Sequence, residues 1–369
     1  MPHWPVTLLF SLRVINFCNG GLLCFAYVLV VVEAVTGAVF YPIFFFCSIY
    51  WPCRSMSNCI KQYQNMVKVL VFGATGAIGK EVARAFSRNG HTVYGLTRSA
   101  KKAHELEREE INGVVGDVSD PSTWKHLIKN VSVIIDTSFD YTNPAEKASK
   151  LIQEVAEAVK EYPERRFTYI YTSGTWVYGN DAGVTVTESD AVNPIPIVAW
   201  RPALEQLVIQ SQDFDGVVIR PGMVIGKSGS IFGMLFSAVQ KGHITLYNDE
   251  NTRMASVHTE DLAEMYVAAA EKIYAAKGQI FNVVNSQTEN TTDIVKAIIR
   301  LVNPESTITY EKPTDPFQTA LGLYSPIFDI SKAVNLLGFQ QRHSGAVDGV
   351  ERYYKSWKAT ATEWEDCKN

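Results

Sequence analysis

The body of this chain has almost no cysteine. Of six cysteines in 369 residues, Cys18, Cys24, Cys47, Cys53 and Cys59 precede Met66, and only Cys367 follows it. A body so poor in thiols is not built on disulfides, which points to a reducing compartment. Basic runs are also missing: the formal charge is −4, with Lys and Arg dispersed along the chain. Nucleic acid needs clustered cations against its phosphates, so that partner class is excluded. There is no internal repeat or low-complexity tract, and no metal site is expected. Asn130-Val-Ser132 and Asn290-Thr-Thr292 fit the glycosylation pattern, which acts only in a secreted chain, so they are read as surface residues.

What the body lacks in hydrophobic runs, the first 65 residues supply. An apolar stretch from Gly21 to Trp51 is interrupted only by Glu33 and Pro42. It exceeds the roughly 20 residues that a membrane-spanning helix needs. A cleaved signal peptide would have a shorter apolar core that starts sooner. Arg13 before the run and Arg54 and Lys61 after it give a slight bias toward a cytoplasmic-facing C-terminal body. Two readings stand: a membrane tether through residues 21–51, or an extension upstream of a start at Met66 that is not part of the working, cytoplasmic protein.

From Met66 the pattern alternates strand and helix, the mark of a parallel sheet covered on both faces. Strands are predicted at Val67–Phe72, Thr92–Leu96, Gly113–Val115, Val131–Ile135, Phe167–Tyr171 and Gly216–Arg220. Helices are predicted at Ile78–Arg88, Lys101–Glu109, Pro144–Tyr162 and Pro202–Ser211. Further helices at Asp261–Ile273, Thr292–Leu301, Ser331–Leu337 and Ala346–Trp357 suggest a smaller mixed C-terminal lobe. Thr292 and Ser331 are their predicted N-caps, and Gly338 closes one of them. The division is a hydrophobic segment over 1–65, a dinucleotide-binding domain over 66–230, and a C-terminal substrate lobe over 231–369, interleaved with the sheet.

Gly73-Ala74-Thr75-Gly76-Ala77-Ile78-Gly79 lies between the first strand and its helix. Gly73 permits the tight turn, Gly76 lets a diphosphate approach the backbone, and Gly79 lets the helix pack on the sheet. A glycine triplet alone is weak, but one that ends a strand and opens an amphipathic helix is the Rossmann context. The bland reading is a tight turn and nothing more. After the second strand come Leu96-Thr97-Arg98-Ser99, Lys101 and Lys102, with no acid before Glu105. An Arg here accommodates a ribose 2′-phosphate, so NADP is favoured and NAD remains the alternative. Arg98 also has a bland reading as a solvated loop cation, and Asp117 either meets the adenine or caps the turn at Val118-Ser119.

These motifs resemble the extended short-chain dehydrogenases/reductases, the NAD-dependent epimerase/dehydratase family. Tyr171-Thr-Ser-Gly-Thr-Trp-Val-Tyr-Gly179, Thr187-Glu188, Arg220-Pro-Gly-Met-Val-Ile-Gly226 and Val257-His-Thr-Glu-Asp-Leu-Ala263 follow in the family's order. The resemblance runs from Met66 to about Trp357. It implies that Asp117 lies by the adenine, that Thr137 and Ser138 line the cofactor's inner half, and that Arg220 to Gly226 closes the nicotinamide side. The bland reading makes Arg220-Pro221-Gly222 a turn and His258 and Asp261 helix caps; His258 is read as mainly structural.

The departure from the family is sharper than the match. Its chemistry uses a Tyr-x-x-x-Lys pair and a Ser or Thr, with the Lys charge pulling the phenol toward working pH. Here Trp200 takes the Tyr place, Leu204 the Lys place and Gly174 the Ser/Thr place. Thr175, Ser173 and Tyr178 remain as weak catalytic candidates, and His258 is weaker still. Arg201 cannot be deprotonated, and Glu205 is read as a solvated helix carboxylate. The chain is therefore expected to be an atypical oxidoreductase or epimerase/dehydratase-like enzyme acting on a small carbonyl or sugar nucleotide. The alternative is a non-catalytic, redox-responsive nucleotide-binding regulator or scaffold. A lipid or steroid-like substrate enters only if residues 21–51 anchor the chain, and a homodimer is the one assembly allowed for.

Overall fold

The structure, a computed structural model, describes residues 6–17, 21–32, 66–140, 142–180, 183–227 and 231–366. These form two compact units divided after Asn65. In the first unit β1 (Val6–Phe17) pairs antiparallel with β2 (Gly21–Val32), from Val6 opposite Val32 to Phe17 opposite Gly21. The expected membrane helix is therefore corrected over Gly21–Val32. Tyr27-Val-Leu-Val-Val-Val32 is rich in β-branched side chains, which suit a pleated strand better than a helix. The rest of the apolar run lies outside the described residues, among which no helix is long and apolar enough to cross a membrane.

The second unit alternates as predicted. It runs β3 (Lys68–Phe72), α1 (Gly79–Arg88), β4 (Thr92–Thr97), α2 (Ala100–Glu107), β5 (Asn112–Val115), β6 (Val133–Asp136), α3 (Pro144–Lys160) and β7 (Thr168–Thr172). A short β8 (Thr185–Val186) precedes α4 (Arg201–Ile209) and β9 (Asp215–Pro221). Then come β10 (Met223–Ile225), α5 (Ile231–Gln240), β11 (His243–Tyr247), β12 (Arg253–His258), α6 (Thr259–Glu271) and β13 (Gln279–Val283). The chain continues through β14 (Thr288–Asn290), α7 (Thr291–Val302), β15 (Thr307–Glu311), β16 (Ile327–Phe328) and α8 (Val350–Asp366).

Seven strands form one parallel sheet in the order β13-β9-β7-β6-β3-β4-β5. Successive side chains of a strand face opposite sides, and β3 shows the result. Val69 and Val71 join one core with Val82 and Phe86 of α1 and Leu262 and Tyr266 of α6. Leu70 and Phe72 join the other with Trp124, Tyr169, Leu204 and Val208. Each fully buried aliphatic or aromatic side chain contributes about 1.5–3 kcal/mol, which is why β3, buried on both faces beyond its exposed first residue Lys68, reads as an apolar run from Val69 to Phe72.

The C-terminal lobe has its own core, in which Phe232 and Phe236 of α5, Ile294 and Ile298 of α7 and Tyr353 of α8 pack with Ile244 and Leu246 of β11. The N-cap predicted at Thr292 falls instead on Asn290, whose side chain accepts the Asp293 N–H at 3.2 Å. Gly338 closes its helix in the left-handed region, φ +76°. Asp329, rather than Ser331, supplies the oxygen at that helix start, accepting the Ser331 N–H at 2.7 Å.

Candidate active site

The turn after β3 leaves no room for side chains where it holds glycine. Gly73 has φ +76°, and a Cβ there would stand 2.9 Å from the Thr137 carbonyl oxygen. At Gly79 a Cβ would stand 2.1 Å from the Gly73 oxygen. Gly76 is tight but less so, at 3.2 Å from the same oxygen, and its N–H donates to that oxygen at 2.9 Å. Ala74 is buried, Thr75 is half-buried, Gly76 and Ala77 are exposed, and Ala77 accepts the Thr259 hydroxyl of α6 through its carbonyl. At the start of α1 the N-cap, Ile78, offers no side-chain acceptor. The first amides of the helix are thus without the usual capping oxygen, the condition in which a helix N-terminus receives an anion.

On one side of β3 lie β4 and β5. Arg98 follows β4 as an exposed side chain, and Ser99 caps α2 by accepting the Lys102 N–H at 3.3 Å. Asp117 follows β5 and accepts from the Ser119 N–H at 2.9 Å and from its hydroxyl at 2.8 Å. Those bonds from Ser119, then the charges of Arg98 and Lys147, hold its carboxyl below the usual range. The turn-capping role is therefore seen directly, with Arg98 close enough to act on it.

On the other side lie β6 and β7. Thr137 ties the ends of β3 and β6 together, its hydroxyl donating to the Phe72 carbonyl at 2.7 Å. Ser138 donates through N–H and hydroxyl to Asp136, at 2.9 and 2.6 Å, and Tyr169 donates to the other oxygen at 3.0 Å. Burial raises the Asp136 carboxyl, opposed by those bonds and by the Arg201 charge. Trp200 immediately precedes α4, its indole N–H donating to the Ile197 carbonyl at 3.2 Å. Leu204 faces the core with 6 % exposure. Arg201 reaches the tip of β7 and donates to the Thr172 carbonyl at 2.9 Å.

Beneath β7 and β9 runs a polar network that sequence reasoning missed. Glu205, expected on the solvated surface of α4, is fully buried and paired with Arg220, itself 3 % exposed. The correction has a physical signal in the sequence: Arg220 closes an apolar strand, and a buried guanidinium needs a counter-charge. Arg220 Nε donates to Glu205 at 3.0 Å, Nη2 to its other oxygen, and Nη1 to the Tyr178 hydroxyl at 2.6 Å. Tyr178 bonds in turn to Asn282 at 2.9 Å and to the Thr187 carbonyl at 3.1 Å, while the Asn282 N–H donates to Glu188 at 2.7 Å. The Ser173 hydroxyl donates to Glu205. Burial raises the Tyr178 phenol against the lowering effect of Arg220. Thr175, 6 % exposed, lines a cavity of about 20 Å³ with Trp176, Met223, Arg253 and Ser325, space for roughly one water.

Residues 69–283, more than half of the chain, match the NAD dependent epimerase/dehydratase family. The chain belongs to that family. Among curated members of similar sequence, an uncharacterized protein of Schizosaccharomyces pombe is 27% identical over 282 residues, 75% of this chain and 93% of that one. The photosystem II assembly factor Ycf39 of Synechocystis is 22% identical over 239 residues, 64% of this chain and 68% of that one. The fold is that of UDP-glucuronic acid 4-epimerase from Bacillus cereus, solved with UDP-glucuronic acid and NAD: TM-score 0.67, 21% identity, covering 79% of this chain and 99% of that one.

In this epimerase/dehydratase-family chain, His258 caps the helix after β12 as read, whereas Asp261, also read as a cap, ties down the loop at 342–343 instead. His258 caps α6, accepting the Glu260 N–H at 3.2 Å, and stacks on His343 with centroids 3.7 Å apart. Burial lowers its imidazole to about 4. Asp261 accepts the Arg342 and His343 N–H groups, each at 3.0 Å, and meets the His343 ring at 2.7 Å. His258, Glu260 and His343 converge within 4.8 Å, a set that could ligate a metal and was not foreseen. The Lys227 ammonium already lies 2.6 Å from Glu260.

Proposed function

We propose that the chain binds NADP(H), with NAD(H) the alternative, and works as an atypical oxidoreductase or epimerase/dehydratase-like enzyme on a small carbonyl or sugar nucleotide. The observation that carries this reading is the turn after β3. A Cβ at Gly73 or Gly79 would strike backbone, and the start of α1 lacks a side-chain cap. That is the donor set a diphosphate takes. Arg98 at the end of β4, with no acid before Glu105, favours a 2′-phosphate on the adenosine side. Asp117, Thr137, Ser138 and Arg220 frame the cofactor in this reading, Arg220 by bracing the wall through Glu205 and Tyr178.

The bound coenzyme supplies hydride chemistry, and the protein positions it. The chain carries out any proton transfer without a Tyr-x-x-x-Lys pair at the start of α4. Its one such spacing, Tyr354 to Lys358, lies on α8. Tyr178 and Ser173 are both engaged in the Glu205 network, so Thr175 is the hydroxyl best placed to take the role. A second reading, a non-catalytic redox-responsive regulator or scaffold, draws on that same saturation and on the likeness to a relative named as an assembly factor. Calorimetry with NADPH and NADH, followed by absorbance with a panel of aldehydes, ketones and nucleotide sugars, tests both. Turnover abolished by Thr175→Ala supports the enzyme; binding without turnover supports the regulator; no heat with either coenzyme removes both.

A further inference from the structure

Three successive carbonyls lead into α1, and they are satisfied in two ways. Those of Gly76 and Ile78 accept the Lys80 and Val82 N–H groups at 3.1 and 3.0 Å, the ordinary helical pattern. The carbonyl between them, at Ala77, takes instead the Thr259 hydroxyl at 3.1 Å, from 182 residues further along the chain. The Ile78 N–H, on the same peptide, has no backbone acceptor among the described residues.

A trans peptide is planar, with its C=O and N–H pointing in opposite directions. A hold on the Ala77 carbonyl therefore also fixes the direction of the Ile78 N–H. The hold comes from a well-anchored element. Thr259 is buried in the first turn of α6, which His258 caps. Leu262 and Tyr266 of that helix share a core with Val82 and Phe86 of α1, and Glu264 meets Arg88 at 3.1 Å. A hydroxyl so placed acts on the turn without touching what the turn holds.

We infer that Thr259 is a positioning residue for the coenzyme: through the Ala77 carbonyl, its hydroxyl holds the Ile78 N–H in the direction that receives the diphosphate. The inference rests on the coenzyme reading above. Without that bond the 77–78 peptide would sample other orientations, and the ligand would have to order it on binding. With the bond, the donor is ordered before the ligand arrives. The glycines make room for the diphosphate, and Thr259 aims one of its donors.

Calorimetry with NADPH, urea unfolding of the unligated protein and hydrogen exchange, all on the full chain, test this together. Thr259→Val removes the hydroxyl and keeps the shape, whereas Thr259→Ser keeps the hydroxyl. NADPH affinity is expected to fall about fivefold in Thr259→Val, the scale of one hydrogen bond, and to stay within about twofold of wild type in Thr259→Ser. The urea midpoint of Thr259→Val should stay near the wild-type value, because Ala77 is exposed and water can replace the lost donor. Hydrogen exchange reads the Ile78 amide itself, which NADPH should protect more in the wild type than in Thr259→Val. Wild-type affinity in folded Thr259→Val overturns the inference, as does an equal loss in Thr259→Ser or equal protection of that amide in wild type and Thr259→Val. If Thr259→Val does not fold, Thr259→Ala against Thr259→Ser decides: equal NADPH affinities reject the assignment, and a loss confined to Thr259→Ala supports it. Wild-type protein that binds no NADPH removes the coenzyme reading itself, a result distinct from any variant outcome.

Discussion

The glycine turn after β3 and the wall after β7 sit at the same edge of one sheet and are built on opposite principles. At the turn, side chains are absent where they would clash, and the start of α1 carries no capping oxygen. At the wall, Ser173, Glu205, Arg220 and Tyr178 satisfy one another out of contact with solvent, and Asn282 joins them through its side-chain oxygen while its Nδ2 is buried without a partner among the described residues. In the proposed reading a ligand completes the first region. The second is filled by its own partners except at Asn282 Nδ2, and a hydroxyl or carboxylate already engaged has little left to offer a substrate. Polar residues in a cleft therefore indicate chemistry only after their internal partners are counted.

Breaking the turn is expected to have the largest effect. Gly79→Val places a side chain where even a Cβ would lie 2.1 Å from the Gly73 oxygen, so coenzyme binding should disappear in calorimetry. Circular dichroism checks that the sheet persists; full binding by a folded variant would contradict the need for close backbone approach. Breaking the wall acts on stability first. Glu205→Ala leaves the Arg220 guanidinium buried without its partner, and loss of one member of such a pair lowers stability by about 3–5 kcal/mol. Urea unfolding measures this, and a change below about 1 kcal/mol would mean that the pair is solvated in solution.

The contrast also explains what the sequence could reveal. Gly73, Gly76 and Gly79 announce the turn because backbone geometry restricts those positions to one residue type, and the alternation of β3 and α1 supplies the context. Arg98 and Asp117 could be singled out because they follow directly from strand ends. Glu205 was not, since its partner is on β9 and only the folded sheet brings them together. It shares a buried face of α4 with Leu204 and Val208, against its reading as a solvated carboxylate, and that spacing together with an Arg220 at the end of an apolar strand was the overlooked signal. The same kind of nonlocal contact hid His343, whose loop packs on α6. The strand at Gly21–Val32 shows the reverse failure: apolar length pointed to a spanning helix, while β-branched composition favoured pairing.

A pH titration sharpens the comparison outside the cofactor crevice. The folded His258 imidazole is lowered to about 4, chiefly by burial, from an unfolded value near 6.5. The neutral ring is therefore favoured by folding, so its contribution is complete above about pH 6.5 and is lost as pH falls toward 4. The shift corresponds to at most about 3 kcal/mol. Denaturation midpoints measured from pH 7 to 4 should fall for the wild type and fall less for His258→Asn, which keeps a capping oxygen. Parallel pH curves would show that His258 titrates normally.

The smallest effect is expected at Tyr178, and it decides most about catalysis. Its hydroxyl accepts from Arg220 and shares its single proton between Asn282 and the Thr187 carbonyl, so Tyr178→Phe removes the equivalent of about two bonds while the ring keeps its edge contact with Phe328, at 5.5 Å between centroids. Net loss per buried hydrogen bond is about 1 kcal/mol, and Arg220 keeps its bidentate grip on Glu205, so destabilisation should stay near 1–2 kcal/mol. Because burial raises the phenol rather than pulling it toward neutrality, coenzyme affinity and turnover should change by less than about threefold. A loss of turnover of about a hundredfold or more, with coenzyme affinity intact, would instead make Tyr178 the proton donor. The wall would then have to open in the working enzyme, and the contrast between a turn that waits for its ligand and a wall that does not would fail.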